Sequence, residues 1–194
     1  QVTTGEFNTS LGSLSMGSGV TTGDQNVAIG YATGVSIAAG AFNVLVGNSA
    51  GTALTTGTEN VAIGHQALST ENAHGKNVAV GHTALLTLDA GADAYNVAVG
   101  YTAGKLMTTG SKNTLIGGLA GDSLTTGTQN IALGYNALTT EDTGSRSTAI
   151  GFSALAAQDI NGNSYNVAVG YGAGENVTTG TANTIVGGLA GDAL

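Results

Sequence analysis

The sequence NVAIG at residues 26–30 is one copy of a unit that recurs along the whole chain: an Asn or Ser, three small or apolar residues and a Gly. Ten copies begin at Asn26, Asn43, Asn60, Asn77, Asn96, Asn113, Asn130, Ser147, Asn166 and Asn183, and a degenerate copy begins at Asn8. Counted from Asn8, the steps between successive starts are 18, 17, 17, 17, 19, 17, 17, 17, 19 and 17. A unit this short cannot form a domain by itself, so the period predicts coils that stack on their neighbours.

A second, longer period lies over the first, because the pattern repeats when it is shifted by 70 positions. Asn26 corresponds to Asn96 and Asn166, and each block of this length holds three short coils and one long coil. The long coils are 77–95 and 147–165. We therefore interpret residues 1–194 as a single β-solenoid repeat region and expect it to be a fragment of a longer fibre, cut between coils.

The composition argues against several classes of function. Among 194 residues there are 33 Gly, no Pro, no Cys and no Trp, and the formal net charge is −8. With Lys and Arg totalling 4, the chain lacks the basic track that nucleic-acid binding requires. Gly and Asn interrupt every apolar run before it reaches the roughly 18 residues of a membrane-spanning helix, so no membrane insertion is expected. Stability must come from stacking, because no disulfide can form.

The residues of one unit predict how a coil is built. Val27 and Ile29 lie on one face of an extended segment and Ala28 on the other, and because neither face is polar the strand is expected to be buried on both sides. Gly30 suits a corner with positive φ. A second short strand is expected in segments such as 67–70, before a Thr-Thr-Gly corner. The sequence thus predicts an all-β fold, a parallel β-solenoid or β-roll of about eleven coils around a core of Ala, Val and Leu.

The Asn that begins each unit predicts a structural ladder. Identical amides stacked about 4.8 Å apart can hydrogen-bond from coil to coil, and Asn suits corner conformations. Ser147 is the one departure and keeps a hydroxyl group. The predicted ladder consists of Asn26, Asn43, Asn60, Asn77, Asn96, Asn113, Asn130, Asn166 and Asn183.

The second apolar face of the strand predicts association between chains. A coil of about 17 residues can enclose only one of the two faces, so the other needs a cover. The simplest cover is the same strand of neighbouring copies, which favours a homo-oligomer wound around an axis, with a trimer as the preferred state.

The unit N-V-A-I-G-x-x-A resembles the head repeats of trimeric autotransporter (YadA-like) adhesins. The 17-residue spacing with Y-x-A-G and T-T-G is also similar to β-solenoid repeats of phage tail fibres and of other long bacterial surface fibres. The resemblance covers residues 8–194, although the adhesin head repeat is usually shorter. It implies a left-handed, trimeric and extracellular fibre, carried by a virion or a bacterial cell surface, that attaches to a host-surface glycan or protein. The shared positions build the fold, so no binding residue is transferred.

Candidate binding residues occupy a variable column directly after the strand-ending Gly. Stacked rings there could form a platform for sugar rings, or could instead cover the corner or pack across a subunit interface. The rings of this column are Tyr31, His65, His82, Tyr101, Tyr135, Phe152 and Tyr171, and Asn48, Gly118 and Gly188 interrupt them. Two further candidates, Tyr95 and Tyr165, end the enlarged corners of the long coils, where solenoids often place recognition.

Metal binding and catalysis have little support in the sequence. His65 and His82 lie on adjacent coils without an evident third ligand, and the acidic corners around Asp89 and Asp159 lack the closing Glu of a calcium loop. No metal or cofactor is therefore expected. Acidic residues fall in scattered corners and no catalytic motif appears, so the chain is predicted not to be an enzyme. The alternatives are a self-polymerising extracellular filament and, more remotely, a glycan-cleaving enzyme.

Overall fold

The computed structural model describes residues 4–17 and 19–192, which form a parallel β-solenoid of about ten turns. Its eleven strands make one parallel sheet whose order follows the chain, so the predicted all-β solenoid is confirmed. The described residues include no helix that is long and apolar enough to cross a membrane. The strands are β1 (Thr9–Leu11), β2 (Val27–Ile29), β3 (Val44–Val46), β4 (Val61–Ile63), β5 (Val78–Val80), β6 (Val97–Val99), β7 (Thr114–Ile116), β8 (Ile131–Leu133), β9 (Thr148–Ile150), β10 (Val167–Val169) and β11 (Thr184–Val186).

The register of the sheet is the same at every step. Ala28 pairs with Leu45, and across a long coil Ala79 still pairs with Ala98. The two extra residues of a long coil therefore leave the strand positions unchanged, and the enlarged corner accommodates them.

The middle residue of each strand fills the interior of the coil. Ala28 and Leu45 are fully buried, together with Leu side chains from the corners such as Leu68. The flanking strand residues face outward instead, and in β8 Ile131 and Leu133 remain 42% and 40% exposed. The expectation that the Val residues of the strands fill the core is therefore wrong, because they lie on the outward face. Burial of that outward face by neighbouring chains stays a prediction. The thin interior has room for only one face of the strand.

The expected second strand is absent from the described coils. Apart from an isolated bridge between Ser145 and Asn163, the chain between one strand and the next forms turns and bends. The sixth and eighth residues after the Asn have positive φ, as at Gln66 (54°) and Leu68 (50°). A segment in which every second residue has positive φ cannot form an extended strand. It rolls the chain inward instead, and Leu68 reaches the core while its N–H still bonds Ala84 of the next coil.

The glycine that ends each strand is required by both conformation and space. Gly30 has φ of 134°, and a Cβ there would lie 2.3 Å from the carbonyl oxygen of Gly47 in the next coil. Each glycine of the column makes the same close approach possible for its neighbour, which explains the fixed last position of the unit.

Candidate functional site

The anchor asparagines form a buried hydrogen-bond ladder along the solenoid. Oδ1 of Asn26 accepts hydrogen bonds from the backbone N–H and from Nδ2 of Asn43, both at 3.0 Å. Nδ2 of Asn43 also donates to the carbonyl of Gly57 at 2.9 Å. From Asn26 to Asn166 both ends of each amide are used and the asparagine side chains are fully buried, so this column supports the fold and offers no surface to a ligand.

The ladder changes its chemistry where Ser147 replaces Asn. The Oγ atoms of Ser147 and Ser164 lie 2.5 Å apart, and Gln158 Nε2 donates to Ser147 Oγ at 2.7 Å. Gln158 Oε1 then accepts from Nδ2 of Asn166 at 2.7 Å, so the chain of hydrogen bonds continues into the next coil. The equivalent residues one block earlier are an Asn, a Leu and an Ala, at positions 77, 88 and 94, so three positions differ together. The sequence identifies Ser147 only as the one departure from Asn that keeps a hydroxyl group, and the roles of Gln158 and Ser164 were missed.

The variable column after the strand-ending Gly forms two stacks of three rings. In the first, the ring centroids of His65 and His82 are 5.0 Å apart and those of His82 and Tyr101 are 5.2 Å apart. In the second, the corresponding distances are 5.6 Å and 5.0 Å. The second stack consists of the equivalent residues of the next block, which are Tyr135, Phe152 and Tyr171.

The orientation of the rings determines which parts of them a ligand can reach. Adjacent planes are within 8° to 19° of parallel, so faces inside a stack cover one another and ring edges point outward. Within the described chain, the terminal rings of each stack have one face without a ring partner, among them Tyr101 and Tyr135 on either side of Gly118. Tyr31 is 54% exposed and joins no ring stack in the described part of the chain.

The two tyrosines of the enlarged corners have cationic partners from the preceding coil. Lys76 Nζ lies 5.3 Å from the ring centroid of Tyr95 and 3.3 Å from its hydroxyl oxygen. Tyr165, the equivalent residue of the next block, pairs with Arg146 at 5.7 Å from the ring and 3.2 Å from the hydroxyl. Lys76 also donates to Asp93 at 2.6 Å, a bond that raises the pKa of Lys76 and lowers the pKa of Asp93. In each enlarged corner, the tyrosine is therefore held against a cationic side chain of the preceding coil.

Two of the glutamates in the corners are fully buried, although the sequence predicts no buried charge there. Glu71 and Glu141 occupy the eleventh position after the Asn, a column that otherwise fills the core. In the other described coils from Asn26 onward, its members are Ile37, Leu54, Leu88, Met107, Leu124, Gln158 and Val177.

Each buried carboxylate accepts backbone N–H groups of two coils. Glu141 accepts from Gly144 at 2.7 Å, from Ile160 at 3.2 Å and from Gln158 Nε2 at 2.8 Å. Burial raises the pKa of Glu141, although these hydrogen bonds to the carboxylate oppose that rise. In the earlier block, Glu71 accepts from the backbone N–H groups of residues 74 and 90, at 3.1 and 3.2 Å.

The position of these glutamates explains their presence. Each belongs to the coil before a long coil, and Ala90 and Ile160 lie in the enlarged corners that follow. The enlarged corner turns a backbone N–H toward the interior, and the carboxylate supplies the acceptor that a Leu could not. A sequence signal for this arrangement existed, since Glu replaces an apolar residue at the eleventh position only before a long coil.

The acidic corners bring possible metal ligands together, but the glutamates among them are already engaged. Ligand atoms of Glu71, His74 and Asp89 lie within 4.8 Å of one another, as do those of Glu141, Asp142 and Asp159. Each Glu carboxylate is occupied by the N–H donors described above.

The two histidines of the ring column do not converge on a common metal position. His65 and His82 stack at an interplanar angle of 15°. Because the lone pairs of an imidazole lie in the plane of its ring, those of two stacked rings do not converge between them.

Comparison of the chain with protein-family models, with curated proteins and with solved structures finds no match.

Proposed function

We propose that this chain is a non-enzymatic segment of an extracellular attachment fibre, a trimer carried by a virion or a bacterial cell surface, that binds host-surface glycans or proteins. The observation that carries the proposal is the repetition of exposed ring stacks on a rigid scaffold. The stack that ends at Tyr101 recurs four coils later as the stack that ends at Tyr171, and these two terminal rings are 61% and 59% exposed.

The outward face of the sheet supports association of the chains. From β2 to β11 the first and third residues of every strand lie on this outward face, and most are Val, Ile or Leu. Ile63 is 37% exposed, and Val44, Ile116, Ile131 and Leu133 are exposed to a similar extent. A continuous apolar stripe of this length marks an interaction surface, and a second copy carries the same stripe at the same coil spacing.

The mechanism is mechanical and multivalent. Eleven strands about 4.8 Å apart give a rod of roughly 50 Å. Such a rod holds weak sites at fixed separations, so that binding one site raises the effective concentration of the next. Three chains side by side multiply the number of sites again.

The proposal is tested by binding of the fluorescently labelled chain to a panel of bacterial and animal cells, measured by flow cytometry. We expect saturable binding that the paired substitution Tyr101→Ala and Tyr171→Ala reduces at least tenfold without changing the unfolding temperature by more than a few degrees. A matched control replaces Tyr31, which joins no ring stack among the described residues, with Ala. Absence of saturable binding to every cell type would contradict the attachment function.

A further inference from the structure

The ring column lacks a ring at one position in each block. The two of these positions that lie between rings carry different residues. Between Tyr101 and Tyr135 the intervening coil carries Gly118 and no side chain. The equivalent position one block earlier carries Asn48, whose Oδ1 accepts a hydrogen bond from Ser49 Oγ at 2.8 Å. The gap at Gly118 is therefore open, whereas the gap at Asn48 is filled by a polar side chain.

By coil spacing, the open gap has room for one missing ring once the Tyr135 ring rotates away from Gly118. Tyr101 and Tyr135 belong to coils two steps apart, which separates them by about 9.6 Å along the column. A ring inserted midway would lie about 5 Å from each tyrosine, the separation that the rings inside the stacks adopt.

The surroundings of Gly118 leave the gap accessible. A Cβ built on Gly118 would have only the Cδ2 and Cε2 atoms of Tyr135 within 4 Å, at 3.3 and 3.6 Å. The ring of Tyr135 therefore leans over the Gly118 backbone. The Gly118 backbone forms the floor of the gap, and the Tyr135 ring forms one wall. Tyr101 forms the opposite wall, and both tyrosines are more than half exposed.

We propose that the Gly118 gap binds one pyranose ring of a neutral glycan between Tyr101 and Tyr135. A sugar ring presents C–H groups on both faces, which suits two aromatic walls, and its rim hydroxyls can bond the two phenol groups. The formal net charge of −8 disfavours acidic sugars, and the scarcity of cations disfavours nucleobases with their phosphates. The proposal rests on the attachment function above and specifies its ligand class.

The test uses the substitution Gly118→Tyr, which completes the column. The backbone conformation allows it, because Gly118 lacks the positive φ of the strand-ending glycines and the same position carries a ring in other coils. The Tyr135 ring, whose Cδ2 would lie 3.3 Å from the added Cβ, must shift by a few tenths of an ångström. Binding of cellohexaose and chitohexaose is measured by isothermal titration calorimetry and by saturation-transfer NMR. We expect at least one of these probes to bind the native chain, with a loss of at least tenfold in Gly118→Tyr and in Tyr101→Ala.

Asn48→Tyr is the matched control, because it fills the gap that is already occupied and should leave binding unchanged. Undiminished binding in Gly118→Tyr, or no binding of either probe to the native chain, would overturn the gap as the site. A change in the number of chains per particle in Gly118→Tyr would also overturn it, since the ring would then pack between subunits. Cell binding that persists in any of these cases would show that the attachment function stands through another surface, whereas its absence from the native chain would remove both proposals.

Discussion

At the scale of single residues, the buried glutamates are the clearest departure from an apolar core. Glu141 sits among core side chains and satisfies N–H groups from two coils, so its carboxylate stabilises an enlarged corner at the cost of burying a charge. The same arrangement at Glu71 shows that the longer period reflects a repeated structural requirement.

The burial of Glu141 predicts that the stability of the fold depends on pH. Because burial raises its pKa from 4.5, the folded chain binds this proton more tightly than the unfolded chain does. Its contribution to stability is then complete below pH 4.5 and is lost as the pH rises through the folded-state pKa. In thermal unfolding followed by circular dichroism, Glu141→Gln should remove this part of the pH dependence, and the exposed control Glu59→Gln should keep it. An identical pH profile for native chain and Glu141→Gln would contradict the assignment.

The cluster around Ser147 predicts strong coupling between three positions. Gln158→Leu alone should lower the free energy of unfolding by about 1–3 kcal/mol, because it removes the hydrogen bonds of the amide to Ser147, Asn166 and Glu141. The triple variant Ser147→Asn, Gln158→Leu and Ser164→Ala reproduces the residues found one block earlier and should recover most of that loss. Urea unfolding measures both variants, and additive effects of the three substitutions would refute the coupling.

At the scale of the element, each coil combines a three-residue strand with a series of tight turns. Hydrogen bonds between coils continue through the turns, as in the bond from Leu68 N–H to the Ala84 carbonyl at 3.0 Å. The short strand and the rolled turn therefore form one stacked unit, and the strand-ending glycine is the point at which adjacent units approach most closely.

The close contact between coils at Gly64 predicts that a side chain at this position destabilises the fold. A Cβ on Gly64 would lie 2.3 Å from the Gly81 carbonyl oxygen at φ of 135°, so Gly64→Ala should lower the free energy of unfolding by about 3 kcal/mol. Gly19→Ala is the control, because a Cβ there meets no atom within 4 Å. Urea denaturation compares the two, and equal stabilities would show that the column tolerates side chains.

The sequence is informative about positions that repeat and less so about exceptions to the repeat. The spacing of Asn26 and Gly30 in successive units predicts the parallel coils and the glycine corner, because a fixed period leaves few other folds. The strand predicted at 67–70 is wrong, because Thr and Leu suit a strand by propensity while the positive φ of Leu68 depends on stacking. The burial of Glu71 was missed because a charged side chain usually marks solvent exposure.

At the scale of the whole molecule, side chains on one face of the sheet fill the interior of the solenoid. Side chains on the other face form the outward apolar stripe. Its ring stacks recur every four coils on the same column. We expect such a rod to join copies of itself along the stripe, and both the stripe and the ring stacks depend on the repeat and not on any single coil.

The exposed position of Ile63 predicts that a substitution there prevents assembly without unfolding the chain. Its side chain is 37% exposed in the single chain, so Ile63→Asp should leave the coil folded but separate the subunits by placing a charge in the stripe. Thr70→Asp, on an exposed residue of the same coil outside the stripe, should have no effect on assembly. Circular dichroism together with size-exclusion chromatography and light scattering distinguishes the two results, and an unchanged oligomer in Ile63→Asp would argue against the stripe as interface.

The most direct test of the fibre account is the number of chains per particle at micromolar concentration, measured by sedimentation equilibrium. One chain has a mass of 18.8 kDa, and the trimer predicts a particle of three times that mass. A stable, fully folded particle of 18.8 kDa would contradict it, because the apolar stripe would then remain uncovered in the functional form.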